Sequence, residues 1–362
     1  MKTALVILLI LHGLIHLPGF LKAYQIVAFE QLSLPIGKTA GVFWLLAALL
    51  FLLAALAFLA GNTLWWLPAT AAVAISQVLI LGSWSDARYG TVLNILIALM
   101  IAGGFGMWKF HQSYRNDFKA GLLRQHHNTP AVVTEADLVH LPEPVQKYLR
   151  YSGVVGQPRI NSIKINMDGR MREKGKDWFS FTSEQYNFFD IPARLFYMTG
   201  KIKGIDVPGY HRYLNGTASM RIRLFGLFPV VEQEGVKLDQ AETVTLFNDI
   251  CLLAPAALTD KRISWSEGDS LSCLATFRVN KISISAKLIF NEQGQLINFI
   301  SDDRYALKGD GMQQFRFSTP VKAYRIVNGF PQVSEGSAVW HYPDGEFEYG
   351  QFYIRSIEYN CK

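Results

Sequence analysis

The chain has 362 residues, half of them hydrophobic, and 35 Lys and Arg stand against 29 Asp and Glu for a formal net charge of +6. That excess is too small to argue for a nucleic-acid partner, and three cysteines (Cys251, Cys273, Cys361) without a CxxC pair give neither a zinc site nor a disulfide framework. The charges are unevenly placed: residues 1–108 hold four basic side chains (Lys2, Lys22, Lys38, Arg88) and two acids (Glu30, Asp86), whereas the remainder holds 31 and 27, so a membrane composition is joined to the mixed-sign surface of a soluble domain.

Four apolar segments come first, residues 4–20, 41–60, 64–81 and 92–107. Each is about long enough, at 1.5 Å per residue, to cross a hydrocarbon layer of roughly 30 Å. The first follows Lys2 as a signal peptide would, but it lacks a small-x-small cleavage site and contains His12 and His16, so a retained helix is expected. The short turn Gly61, Asn62, Thr63 makes the second and third segments an antiparallel hairpin, and Trp65, Trp66, Trp84 and Trp108 fall near span ends, where amphipathic rings prefer the interface. With the N-terminus inside, Lys2, Lys109, Arg115, Lys119 and Arg124 flank the cytoplasmic side against Lys22, Lys38 and Arg88 outside, which favours a bacterial inner-membrane protein with a cytoplasmic C-terminal domain. His12 and His16 share one helix face. They suit either a proton relay or metal ligation, or hydrogen bonding to Ser76, Gln77 or neighbouring backbone as packing glue; no third metal ligand is evident.

Residues 109–130 form the connector. Phe110, Tyr114, Phe118 and Leu122 recur on one side of 109–125, as in a helix that continues the fourth span along the bilayer surface or a solvated helical stalk. His126, His127, Asn128, Thr129 and Pro130 then break the pattern and mark the start of a third region, 131–362. A capped turn at 134–138 and a short helix at 142–151 precede a change of period from 3.6 to two. Strands are expected at 160–171, 178–188, 194–203, 210–224, 263–266, 272–279, 282–291, 296–305, 315–326, 330–342 and 346–357. Turn-formers separate them, with hairpin chemistry at Gly204–Gly209 and at Asn215-Gly216. Between the strands lies ETVTLFNDICLLAPAALTDKRISW, residues 242–265. Val244, Phe247, Cys251 and Leu252 give a helix with one face on a core, Thr245, Asn248 and Asp249 mark its polar side, and Pro255 ends it. The fold class that follows is an α-helical membrane part with four transmembrane helices plus an α+β soluble part, a meandering, curved antiparallel β-sheet capped by short helices.

Three blocks, LPEPVQKYLRYSGVVGQPRI, ETVTLFNDICLLAPAALTDKRISW and NEQGQLINFISDDRY, together with the ending YPDGEFEYGQFYIRSIEYN, resemble a family of bacterial membrane-associated proteins known as a domain of unknown function. The resemblance spans residues 141–360. HGLIHLPGFLKAY and WSDARYGTVLNI resemble the four-span unit that precedes this domain in some members. The resemblance implies the architecture and transfers no activity and no catalytic residue.

Two constellations carry the functional expectation. Asp302, Asp303 and Arg304 end an apolar strand, with Asp302 and Arg304 expected on one face and Asp303 on the other; they form an Arg-carboxylate clamp, a strand end entering solvent or, with Asn248 and Asp249 from the helix, a polar site for a head group or metal. Aromatics such as Trp178, Phe196, Trp265 and Tyr349 form either core or, on an open concave face, a groove for an acyl chain. No P-loop, GxGxxG, GxSxG or HExxH is present, and no cofactor is expected. The expected role is binding of a lipid or other apolar small ligand beside the membrane. The alternatives are a membrane-tethered enzyme using Asp249, Asp302 and Asp303, with or without a metal, and a structural module for a membrane-protein partner. Cys251 and Cys273 read as small buried side chains, with a disulfide between them left open.

Overall fold

Apolar composition at the N-terminus does produce long helices. In a computed structural model, which describes residues 2–29, 32–125, 131–266, 268–309 and 311–361, they are α1 (Lys2–Ala23), α2 (Lys38–Leu59), α3 (Trp66–Gly82), the single turn α4 (Trp84–Ala87) and α5 (Gly90–Leu123). Three of them, α1, α2 and α5, are long and apolar enough to cross a membrane; α3 is apolar but has 17 residues. The chain divides into two compact units, Met1–Gln112 with Phe225–Leu227, and Ser113–Leu224 with Phe228–Lys362. The expected boundary residues His126, His127, Asn128, Thr129 and Pro130 lie outside the described residues.

In the first unit small residues let α1 and α2 approach closely. A Cβ on Gly19 would meet the Trp44 ring at 2.5 Å, and one on Gly41 would meet Ala23 at 2.4 Å, the small-residue packing that helices use where no hydrophobic drive separates them from lipid. His12 and His16 are both buried. His12 Nε2 lies 2.8 Å from Asn94 Oδ1 and His16 Nε2 lies 2.9 Å from Ser76 Oγ, while Asn94 donates to Ser76 and to Gln77 at 3.0 Å each. The pair thus ties α1 to α3 and α5. Among the described residues no group of three His, Cys, Asp or Glu is placed to hold a metal.

The second unit is built on antiparallel strands: β1 (Ser162–Met171), β2 (Phe179–Phe188), β3 (Ala193–Ile202), β4 (Ile205–Leu214), β5 (Thr217–Leu224), β6 (Phe228–Glu234), β7 (Ile263–Ser266), β8 (Ser272–Val279), β9 (Ile282–Phe290), β10 (Leu296–Ser301), β11 (Tyr305–Lys308), β12 (Gly311–Gln314), β13 (Arg316–Ser318), β14 (Val321–Val327), β15 (Phe330–Tyr342) and β16 (Gly345–Tyr359). Among the described residues fourteen join one sheet in the order β6-β5-β4-β3-β2-β1-β16-β15-β13-β10-β9-β8-β7, with β14 beside β15; β11 and β12 form a separate pair. The first and last strands meet at the centre, where Ile163 pairs with Tyr359 and Ile165 with Ile357. The expected strand 210–224 is two strands, split at Asn215-Gly216, whose φ values of 48° and 86° are those of a two-residue hairpin turn. The turn expected at Gly204–Gly209 closes at Lys203 and Gly204 instead, so Pro208 and Gly209 sit inside β4.

Helix α7 (Val236–Leu253) lies in the curve of this sheet. On one side Tyr213 of β4 bonds Thr243 at 2.9 Å and the Ala218 N–H of β5 donates to Asp239 at 2.6 Å. On the other, Phe247 stacks on Phe277 of β8 at 5.1 Å and meets Phe299 of β10 at 5.8 Å. A helix that touches both limbs of one sheet must be embraced by it, and residues around its whole circumference are buried, from Glu242 and Val244 to Asn248 and Cys251. Truncating Phe247 to Ala would cost about 3–5 kcal/mol. The helix begins six residues before the sequence pattern suggested, at Val236, behind the capping Gly235 with φ of 108°, and it ends at Leu253, before Pro255. Helix α6 (Glu143–Tyr151) docks on its far end, where Tyr148 OH donates to Cys251 O at 2.9 Å.

The described part of the connector continues the fourth apolar segment as helix to Leu123. It is the last part of α5, a continuous helix of 34 residues and about 51 Å. From residue 113 on it packs against the convex face of β2 to β4. Tyr114 OH donates to Glu184 at 2.9 Å, Phe118 stacks on Tyr186 at 3.9 Å, and Asp117 accepts from Tyr210 and Arg212.

Candidate functional site

The strand register brings alternate side chains of β1 to β5 onto the concave face in rows. Gln185 pairs with Phe196, Phe196 with His211, and Asn187 with Arg194, so each row mixes apolar and polar groups below α7. Glu242, Thr245, Asp249 and Leu252 are spaced at i, i+3, i+7 and i+10, one stripe of the helix facing the sheet. The two surfaces do not fill the space between them. A cavity of about 310 Å³ remains, partly open, with Met167, Met171, Phe179, Phe196, Met198 and Ile222 as its apolar floor. The helix supplies its roof with Glu242, Thr245, Asn248 and Asp249 at one end and Leu252 and Leu253 at the other. Arg304, Phe317, Tyr349 and Phe352 close a further wall.

A buried ionic network holds the roof on the floor. Arg194 Nε donates to Asp249 Oδ2 at 2.8 Å, its Nη1 to Glu242 Oε2 at 3.1 Å, and its Nη2 to Gln185 Oε1 at 3.0 Å. Asp249 Oδ2 also accepts from Gln185 Nε2 at 2.7 Å and Asn187 Nδ2 at 3.1 Å. His211 Nδ1 lies 3.2 Å from Glu242 Oε1. Burial on its own would raise the Glu242 pKa, but the His211 hydrogen bond and the Arg194 charge outweigh it and hold the carboxyl at about 2. Burial likewise works against the Arg194 charge, yet the two carboxylates keep its pKa raised.

The candidates drawn from the sequence divide into two groups. Asn248, Asp249, Arg304, Phe196 and Tyr349 all line the cavity. Asn248 accepts from Thr319 at 2.7 Å, and Arg304 Nη1 donates to Tyr349 OH at 2.8 Å. The others lie elsewhere. Strand β10 ends at Ser301, so residues 302–304 are not on a strand and do not alternate. Asp302 forms a bidentate pair with Arg316 at 2.8 and 3.1 Å on the surface, a bond that lowers its pKa. Asp303 accepts the Ser285 N–H at 2.7 Å. Trp178 is flanked by Arg170 and Arg172, with guanidinium carbons 4.9 and 4.4 Å from its ring. Trp265 packs half-buried on the core from β7. Cys251 and Cys273 are free thiols, both buried, and burial raises the Cys273 thiol to about 12.

The residues that sequence reasoning did not single out are Gln185, Asn187, Arg194, His211 and Glu242. One signal was present: Arg194 is the lone charge in the apolar run IPARLFYM, and a charge in such a run requires a buried partner. A second cavity of about 210 Å³ adjoins the first, and Leu252, Leu253 and Val333 line both.

Comparison with known proteins places this unit without assigning it an activity. No curated protein matches the chain. Among solved structures, an outer membrane lipoprotein-sorting protein domain from Vibrio parahaemolyticus is 7% identical with a TM-score of 0.37, covering 60% of this chain and 92% of its own. A LolA superfamily protein from Nitrosomonas europaea is 8% identical with a TM-score of 0.36, covering 60% and 94%. The profile of a family of unknown function, DUF6544, matches residues 131–352, and the chain belongs to that family.

Proposed function

We propose that this member of a family of unknown function is an integral membrane protein of the bacterial inner membrane whose β unit binds a lipid or other apolar small ligand beside the bilayer. In this reading residues 1–108 form a four-helix transmembrane domain in which α3 is the fourth span, 109–130 link it to the soluble domain 131–362, and that domain is cytoplasmic. The observation that carries the reading is the cavity of about 310 Å³ between α7 and the concave face, which falls at the lower end of the roughly 300–1,000 Å³ range of small-molecule pockets. A floor rich in methionine and phenylalanine under a roof with a few convergent polar groups is the lining such pockets have. Methionine adapts to irregular apolar shapes, which suits a chain-like ligand.

The same geometry weighs against catalysis by these carboxylates. A general acid or base works best with a pKa near the operating pH, whereas Glu242 is held at about 2 with both oxygens engaged by Arg194 and His211. Asp302 and Asp303 have their own partners outside the cavity.

The test uses the full-length chain, purified in a sterol-based detergent that has no alkyl tail to compete, and native mass spectrometry with lipid extraction. Gly336 lines the cavity, and a Cβ there would meet only Pro320 O, at 3.5 Å. Gly336→Leu is therefore expected to fill the cavity and remove a co-purifying amphiphile while leaving the melting temperature unchanged or raised, since Gly weakens a strand interior. Equal ligand occupancy in the wild type and in Gly336→Leu would refute the assignment of this cavity.

A further inference from the structure

We infer that Arg304 is the anchor for the anionic head, carboxylate or phosphate, of a single-tailed amphiphile lying in the cavity; the inference rests on the reading of that cavity as a binding site. Arg194 and Arg304 balance Glu242 and Asp249 in number, but not in pairing. Both carboxylates are bonded to Arg194, and the negative excess of that trio is met by neutral donors, Gln185 and Asn187 on Asp249, and by His211 on Glu242. Arg304 is left without a carboxylate partner among the described residues. Its charge contributes to keeping Glu242 ionised, yet no hydrogen bond joins the two.

A guanidinium has five N–H donors in a fixed fork. Among the described residues Arg304 spends one on the Tyr349 hydroxyl at 2.8 Å, while its Nε is buried and has no partner. The side chain is also held in place before any ligand arrives. It lies 4.0 Å over Phe317 and 5.0 Å from Trp340. Its backbone oxygen accepts from Phe315 at 3.1 Å, and the preceding Asp303 is fixed by Ser285 and by Gln240 of α7 at 2.7 and 2.8 Å. Planar, aromatic-stacked and pre-positioned, it suits two-pronged recognition of a carboxylate or phosphate. Gln240 and Glu242 put this end of the cavity at the start of α7, whereas Leu252 and Leu253 lie about 15 Å further along the helix. The floor between carries Phe196, Met198 and Ile222, an apolar surface that suits a hydrocarbon tail.

The full-length protein in phosphatidylcholine nanodiscs, with empty nanodiscs subtracting partition into the bilayer, is titrated with dodecanoate, dodecyl phosphate and dodecanol. The wild type is expected to prefer one or both anions to the alcohol, and which anion is preferred identifies the head. Arg304→Gln should weaken the anions about ten- to a hundredfold, the range that charge-assisted hydrogen bonds supply, and leave dodecanol within about twofold. If Arg304→Gln does not fold, Arg304→Lys carries the test, because it keeps the charge without the fork and should retain a reduced anion preference. A wild type that binds all three alike, or an anion preference unmoved by either replacement, overturns the anchor and leaves the cavity reading standing. Binding of none of the three refutes both.

Discussion

Replacing Arg194 with Met tests whether the roof of the cavity is held by a buried ionic network. The side chains of Arg194, Glu242 and Asp249 are only 8, 5 and 13% exposed, so the solvent that usually erases a surface salt bridge has little access. Met keeps most of the volume and removes every donor. Two carboxylates then remain under α7 with neutral partners alone, and breaking a buried pair from one side costs about 3–5 kcal/mol. For a domain of this size each kcal/mol moves the melting temperature by roughly 2–4 °C, so a fall of about 6–20 °C is expected. Thermal unfolding of the full-length chain at a fixed scan rate, followed by far-UV circular dichroism and by hydrogen exchange over residues 236–253, reads the effect. Adding Glu242→Gln and Asp249→Asn to Arg194→Met removes the stranded charges and should restore most of the loss. A single variant that melts within about 3 °C of the wild type, below what a buried pair requires, would show that water reaches the network. A triple variant no better than the single one would show that Arg194 acts through packing.

Acid should act on the same network. Glu242 has a folded pKa of about 2 against an ordinary 4.5, so its contribution is fully present above pH 4.5 and is lost as the pH falls from 4.5 through about 2. At 1.36 kcal/mol per pH unit this is roughly 3 kcal/mol, and Glu242→Gln should flatten the stability profile in that window alone; superimposable profiles would contradict the assignment. In the first unit, Gly19→Leu forces a side chain into the Trp44 ring and should destabilise the α1–α2 packing by about 1–3 kcal/mol. Gly82→Ala, on α3 with nothing within 4 Å of its Cβ, is the neutral control, and equal hydrogen exchange in α1 and α2 for both variants would refute the close-packing account.

What could be read from the sequence followed the range of the interaction that sets each feature. Hairpins are local: the alternation of ISISAKLIF gives β9, and Asn328-Gly329, with φ values of 51° and 85°, closes β14 on β15. The start of α7 was misplaced because Val236 to Ala241 owe their helicity to tertiary bonds, such as Asp239 on the Ala218 N–H, and to the positive φ of Gly235. The pairing of β1 with β16 joins residues about 190 apart in sequence, and neither strand carries any mark of it. Asn248, Asp249 and Arg304 were legible as polar groups in apolar surroundings. That Arg194 would pair with Glu242 was not, because two strands and a helix must first be placed before either side chain has a neighbour.

In sequence, helix α7 has a polar side in Thr245, Asn248 and Asp249, and the burial of the helix decides what that side means. Thr245, Asn248 and Asp249 face an internal space, and a polar stripe turned inward has a cost that only partners can offset. The sheet supplies those partners unevenly. Toward Asp249 and Glu242 it presents Gln185, Asn187, Arg194 and His211, which close the network on itself. Toward Arg304 it presents Phe317, Trp340 and one tyrosine hydroxyl. A closed network is rigid and suits a scaffold, whereas an arginine lining an apolar space without a carboxylate partner among the described residues suits a site awaiting a partner. On the proposed reading the labour divides: Arg194 fixes the shape of the cavity, and Arg304 would select what enters it.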